Sequence, residues 1–433
     1  MSSESLFLCH RLPFPPNKGD KIRSFALLKH LAKQGPVSVG CFIDDPLDMR
    51  YIDDVRALAG GDCRFVALGP VAKWTGAALA LANGQPITTS YFGSKALMRW
   101  VSDISANKPI DNWVVFGSAM APYLMRQACN GSRVLFDMVD VDSDKWRQYA
   151  AASSGILKWI YTREANSLEA LERKAAAHFG KTLLVSPFEA RAFQSLAPES
   201  SDKITSLANG VDLEYFRPGE FVNPFRDHER AIVMTGRMDY RPNYEGAIWF
   251  AEKIAPLIFD RLPAARVYFV GSNPPPSLRR VTGPRFTVTG TVDDVRPYLQ
   301  HAAAVVAPLQ MARGVQNKVL EAMAMAKPVV ATREATRALD VQNGTHLWIE
   351  NEPRRFAAAV VNAVEGQARA TVTHNARTFV EQHHSWERIL SDFDQHLEQL
   401  RSKAAVHSFA GATPRAVVGS AQDWDHHITK AQV

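Results

Sequence analysis

Three groups of residues in this sequence have the types and spacing for chemistry on a phosphorylated ligand. In Pro13 to Arg23 (PFPPNKGDKIR), Lys18, Lys21 and Arg23 surround Gly19, where backbone can approach a ligand closely as a helix begins. A helix N-terminus with nearby cations favours phosphate, although the pattern is neither a Walker loop nor GxGxxG and a plain surface loop fits equally well. In Thr235 to Gly246 (TGRMDYRPNYEG), Arg237 follows directly on an apolar run. Its planar guanidinium can hold a diphosphate through two parallel hydrogen bonds; a salt bridge to Asp239 or Glu245 is the structural alternative. In Pro308 to Ala331 (PLQMARGVQNKVLEAMAMAKPVVA), Lys318 and Glu321 share one face of a helix's first turn. They set a cation for phosphate beside a carboxylate that can accept hydrogen bonds from sugar hydroxyls, and a surface ion pair is the competing reading.

Asp137, Asp140, Asp142 and Asp144 in DMVDVDSD invite comparison with a metal loop. A calcium loop of this spacing would need Gly where Lys145 stands and Glu where Ala151 stands, so no metal site is expected. Asp140 keeps its interest because it follows the apolar run Arg133 to Met138, whose end should face a cleft. The histidines, including the pairs His383-His384 and His426-His427, lack ligand spacing and read as surface residues.

The elements that must position these groups repeat one grammar. The chain runs from an apolar strand (Leu6 to His10) through an amphipathic helix to a stop at Gly35-Pro36 and a second strand (Val37 to Phe42). Asp20 is placed to cap that helix before Ile22, Phe25, Leu28 and Leu31 line its apolar face. Further strands are expected at Arg64 to Leu68, Trp113 to Gly117, Arg133 to Met138 and Thr182 to Ser186. The turn-rich LANGVDLEYFRP (Leu207 to Pro218) marks a domain boundary. A second series follows at Ala231 to Thr235, Arg266 to Val270, Arg285 to Thr289, Ala303 to Ala307 and Pro328 to Ala331. The expected fold is therefore α/β, with two doubly wound domains at 1–215 and 216–385. A helix at 386–403 follows, and the tail at 404–433 is expected to be mobile. Ligands in such sheets sit beyond the carboxyl ends of the strands, where all three groups fall.

Length and composition agree with two domains in 433 residues, with 46% hydrophobic and 22% charged residues and no run long enough to span a membrane. Met1 to Glu4 lack a basic region and Leu6 to Cys9 is too short for a signal peptide, so a cytoplasmic location is expected. Cys9, Cys41, Cys63 and Cys129 form no CxxC pair and read as buried thiols. The net charge of +6 is too diffuse to argue for nucleic acid. Within Gly155 to Lys181, Ile156, Leu157, Trp159, Ile160 and Tyr161 lie among Lys158, Arg163, Arg173 and Lys174. That mixture suits a membrane headgroup boundary; in the alternative, Trp159 and Ile160 pack inside the domain while the cations face water.

LVSPFEARAF, LANGVDLEYFRP, GRMDYRPNYEGAIWF, VTGTVDDVRPYLQHAAAVVAPL and KVLEAMAMAKPVVAT, in that order, resemble the glycogen-synthase-like retaining glycosyltransferases of GT-B fold, the glycosyl transferases group 1. The opening LFLCHRLPFPPNKGDKIRSFALLKHLA, with FDMVDVDSDKWRQYA and ARGVQNKVLEAMA, resembles a narrower group, the sugar transferases of PEP-CTERM/exosortase exopolysaccharide systems. This resemblance implies an acceptor-side first domain, a nucleotide-sugar-binding second domain and a crossing helix from Trp386. It implies that Arg237 binds the donor diphosphate, that Lys318 supplies a second cation and that Glu321 holds the donor ribose. Lys18, Gly19, Asn243, Val292, Arg313 and Gly314 complete the expected donor-binding set, in which Arg313, Lys318 and Arg237 are three candidate cations. Three positions depart from the family: Asn243 replaces a lysine, Arg313 replaces the first carboxylate of ExxxxxxxE, and Val139 replaces a histidine, with Asp140 beside it as the remaining catalytic candidate. A nucleotide-sugar donor, a saccharide or polyprenyl-linked acceptor, contact with the inner face of the membrane, and no metal or other cofactor are the expectations that follow. A nucleotide-sugar epimerase using Asp140, or a binding subunit without activity, are the alternatives on the same architecture.

Overall fold

The computed structural model describes residues 4–69, 80, 84–127, 133–281, 283–312 and 314–410. In β1 (Ser5–Cys9), alternate side chains reach opposite faces: Leu6 and Leu8 enter one hydrophobic cluster, Phe7 and Cys9 another. Both faces are covered, which is why this strand and β2 (Val37–Ile43) are buried along their whole length. With β3 (Gly60–Ala67), β4 (Asn112–Phe116), β5 (Val134–Val139), β6 (Lys181–Leu184) and β7 (Ile204–Ser206) they form a parallel sheet of order β3-β2-β1-β4-β5-β6-β7. Leu97, Val101 and Ile104 of helix Lys95–Asn107 cover one face, at the spacing of one helical stripe.

The second sheet comprises β8 (Arg230–Thr235), β9 (Ala265–Val270), β10 (Phe286–Gly290), β11 (Ala304–Ala307), β12 (Val329–Ala331) and β13 (Trp348–Ile349), in the order β10-β9-β8-β11-β12-β13. Strand order reverses between β1 and β4 in the first sheet and between β8 and β11 in the second. Those two crevices are where ligands enter doubly wound sheets. β7 and β13 have no counterpart among the expected strands; the other eleven overlap their expected positions.

Helix Trp386–Ala410 leaves the second domain and packs Ile389, Phe393, Leu397 and Leu400 against the first sheet's core. At about 1.5–3 kcal/mol per buried apolar side chain, this return contact is a substantial part of what holds the domains together. It continues to Ala410 rather than ending near Lys403. At its start Trp386 lies so close to Gly210 that a Cβ there would stand 2.5 Å from the indole. The adjacent His384 is buried and its Nδ1 lies 2.9 Å from the Asn209 carbonyl, so it is an anchor of the hinge rather than the surface residue expected. His426, His427, Cys129 and residues 411–433 lie outside the described residues. Cys9 and Cys41 are buried, and burial pushes the Cys41 thiol well up.

The first helix corrects the sequence reading at three positions. It spans Gly19–Gln34 after an extended Lys18, and Asp20 does not cap it. Asp20 turns instead to His10 and Arg11. Lys21 is buried in an ion pair with Asp48 at 2.6 Å, which removes it from any phosphate site. Arg23 is buried too: Nε and Nη2 grip Asp137 at 2.7 and 3.0 Å, and Nη1 donates to the carbonyls of Leu207 and Ala208 and to Asn209 Oδ1. Asn209 in turn donates to Asn317 Oδ1 at 3.3 Å, carrying the network into the second domain. Arg23 is thus a strut between β5, the hinge and the second domain.

Candidate active site

The second domain assembles its polar site where β8 and β11 diverge. β8 ends at Thr235, and Gly236 follows with φ 140°. A Cβ at Gly236 would stand 3.0 Å from Asn243 Nδ2 and 3.1 Å from Lys318 Nζ, so glycine lets these side chains close over the backbone. Lys318 opens helix Asn317–Ala324 and donates to Asn243 Oδ1 at 2.5 Å. Asn243, only 5% exposed, donates to the Arg237 carbonyl at 2.7 Å. One amide therefore fixes both the Arg237 backbone and the Lys318 ammonium.

Burial governs the charge of the pair on that helix. It lowers Lys318 to about 8, with Glu321 opposing, and raises Glu321 to about 7, with Lys318 opposing. Both side chains are half-buried and can exchange solvent for a ligand. Arg237 is paired with Asp239, Nη2 to Oδ2 at 2.5 Å, while Glu245 pairs with Arg241. The Asp239 carboxyl is held below its ordinary value by these hydrogen bonds, with burial opposing. Because both partners are more than a third exposed, the ion pair contributes at most about 1 kcal/mol and a diphosphate can displace the carboxylate.

The first domain meets this site at the end of β5. Val139 has φ 69°, a left-handed conformation that a β-branched residue adopts only under strain of about 1–3 kcal/mol. The β5–β6 register shifts at the same point, and Asp140 is directed across the cleft to Gly314. Gly314 has φ 59°, and a Cβ on it would lie 2.6 Å from Asp140 Oδ1. Gly19 faces the cleft as well, its nearest neighbour being Asn317 Nδ2 at 3.9 Å from where a Cβ would be. Gly19, Asp140, Gly314, Lys318, Asn243 and Arg237 therefore line one interdomain region. Lys18 is half-buried beside Gly19, whereas Val292 packs against the second core. Arg313 lies outside the described residues.

The four aspartates do not converge: Asp137 is held by Arg23, and Asp144 lies 3.8 Å from Arg147. Among the described residues no group of three or more His, Cys, Asp or Glu side chains is placed to hold a metal ion.

A second polar cluster escaped the sequence reading. His10 follows β1 directly, stacks on Phe116 at 5.9 Å and sets Nε2 3.2 Å from Asp20. Arg11 bridges Asp20 and Asp44 at 2.6 and 2.8 Å. Burial opposes ionisation of Asp20, but hydrogen bonds and charge from His10 and Arg11 outweigh it and hold the carboxyl far below the usual range. The available signal was position, since His10 and Asp44 each sit just past an apolar strand.

Residues 229–365 match the family described as Glycosyl transferases group 1. That match lies within the second domain. Comparison with curated proteins finds no match. Among solved structures, the chain is similar to HepE of Anabaena in complex with UDP and glucose (14% identity, TM-score 0.62, covering 92% of this chain and 100% of that one). It is also similar to sucrose-phosphate synthase of Thermosynechococcus elongatus (17%, TM-score 0.65, covering 93% and 100%). A third likeness is to WaaG, a glycosyltransferase involved in lipopolysaccharide biosynthesis (15%, TM-score 0.61, covering 93% and 98%). At these identities the likeness establishes the fold, two Rossmann-like domains in the GT-B arrangement. The site residues Arg237, Asn243, Lys318 and Glu321 all lie inside the matched group 1 segment.

Proposed function

We propose that the protein is a retaining glycosyltransferase that moves a sugar from a nucleotide-diphosphate donor to a saccharide or lipid-linked acceptor in exopolysaccharide synthesis. The observation that carries this reading is the link Arg237–Asn243–Lys318 beside Glu321, within a group 1 domain and opposite Asp140. When the anomeric bond breaks, negative charge grows on the departing diphosphate. Cations fixed before the reaction stabilise it by a few kcal/mol each in a site closed to water. Arg237 and Lys318 are the cations, and Glu321 accepts hydrogen bonds from the donor ribose. Domain closure about the Arg23–Asn209–Asn317 network and Gly210 would bring the first domain's groups onto the sugar. HepE, similar in fold, has been solved with UDP and glucose, which supports a nucleotide-sugar donor here.

The reading includes catalysis without a metal and peripheral contact with the inner face of a membrane. In support of the latter, Ile156, Leu157 and Trp159 are 75, 50 and 59% exposed at the start of helix Gly155–His178, next to exposed Lys158. Trp159 therefore does not pack inside the domain, and the nearby cations are engaged: Arg163 donates to the carbonyls of Ala80 and Gln85, and Arg173 pairs with Glu199. Among the described residues no helix is long and apolar enough to cross a membrane.

Turnover of labelled nucleotide-diphosphate sugars tests the proposal: it requires transfer to an acceptor, persisting in EDTA and falling about a hundredfold in Arg237→Ala and in Lys318→Ala. Isomerisation without transfer would favour an epimerase, and neither reaction would leave a binding subunit.

A further inference from the structure

A cavity of about 530 Å³ opens in the first domain between the short helix Ile87–Tyr91, the start of helix Lys95–Asn107 and the segment Ser118–Met125. Lys95, Arg99 and Arg126 stand on its rim, all exposed, and no Asp or Glu lines it. Among the described residues none of the three is in an ion pair, in contrast to Arg11, Lys21, Arg23, Arg147 and Arg173 of the same domain. The positive end of a thirteen-residue helix adds to the field. Three like charges gathered at one concavity with no counter-charge repel one another, and an anion relieves that repulsion.

The rest of the wall has a second chemistry. Thr89 and Ser90 donate their hydroxyl protons to the Pro86 carbonyl at 3.0 and 3.1 Å, which leaves their oxygens to accept hydrogen bonds from a ligand's hydroxyls. The floor is fixed by Tyr123, whose hydroxyl donates to the Phe92 carbonyl at 2.6 Å and accepts from the Ser94 amide at 2.8 Å. Phe92, next to the lining residue Gly93, in turn sets its ring edge-on to His10 at 5.7 Å, on the side of the domain where β1 ends.

We infer that this cavity is a second anion site, which holds the phosphate or diphosphate of the acceptor while the Thr89 and Ser90 oxygens take its sugar hydroxyls. The inference rests on the transferase reading for the ligand's role, but the site itself is separate from the one at Lys318. The phosphoryl group can belong to a soluble sugar phosphate or to a membrane lipid.

Calorimetric titration with inorganic pyrophosphate tests it on the full chain. Wild type binds at two sites. Arg99→Gln/Arg126→Gln loses one of them, its dissociation constant rising at least about tenfold, and keeps the other; Lys318→Ala does the converse. Arg354→Gln/Arg355→Gln, which removes the same charge from an exposed helix start in the other domain, changes neither. Flotation with phosphatidylglycerol vesicles that the Arg99/Arg126 variant loses assigns the anion to a lipid headgroup. No flotation of either protein, with the pyrophosphate difference intact, assigns it to a soluble phosphate. An Arg99/Arg126 isotherm superimposable on wild type overturns the site. A Lys318→Ala isotherm superimposable on wild type, with the Arg99/Arg126 difference intact, counts instead against the donor reading.

Discussion

Replacing Asn243 by leucine tests whether the Lys318 cation is held in advance of the reaction. The side chains are close in size and the position is 5% exposed, so the change removes hydrogen bonds with little change in volume. Two are lost, the bond to the Arg237 carbonyl and the bond from the Lys318 ammonium. The neutral one is worth about 1 kcal/mol and the charged one about 1.5–3 kcal/mol. A Lys318 free to sample other rotamers meets the departing diphosphate only part of the time. If about 1.4–2.7 kcal/mol of transition-state stabilisation goes with it, kcat falls about 10- to 100-fold. Steady-state turnover of labelled donor measures this, and a urea midpoint for each variant separates it from simple unfolding. The two residues act as one unit, so Asn243→Leu adds almost nothing in a Lys318→Ala background. Turnover within about twofold of wild type, or fully additive losses in the double variant, would refute the idea that Asn243 positions Lys318.

The pH dependence of kcat/KM is expected to be bell-shaped. The acid limb reports Glu321, which burial raises to about 7 and which must be ionised to accept from ribose; the base limb reports Lys318, which burial lowers to about 8 and which must stay protonated. Activity is lost as pH falls through the first value and as it rises through the second, and Glu321→Gln abolishes the acid limb. For the hinge strut, Arg23→Met leaves Asp137 buried without its cation and should cost about 3–5 kcal/mol in a denaturant titration. Adding Asp137→Leu should restore most of the loss, and a single variant within about 1 kcal/mol of wild type would count against the strut.

The two-sheet architecture was legible because parallel strands buried on both faces leave continuous apolar runs between turn residues. β7 (Ile-Thr-Ser) carries a single apolar residue and β13 only two, too little of an apolar run to register, whereas the equally short β12 is apolar throughout. Arg237, Lys318 and Glu321 were legible as candidates because each follows a strand at a crevice. What sequence spacing could not supply was the partner. Lys21 and Arg23 look like phosphate ligands beside a helix start, yet Arg23 is committed to Asp137, 114 residues away, and Lys21 to Asp48. Asp20 illustrates the same limit in reverse: a cap was the local solution, and pairing with His10 and Arg11 displaced it. Asn243 reads from sequence as a missing cation and proves to be the amide that orients the remaining one.

Lys318 is proposed to hold the donor diphosphate, and binding tests that role more directly than turnover because it needs no acceptor. A panel of nucleoside diphosphates titrated calorimetrically into wild type and Lys318→Ala is the measurement. At least one is expected to bind wild type saturably and to bind the variant at least about tenfold more weakly. Absence of binding across the panel, or equal affinity for both proteins, would contradict it.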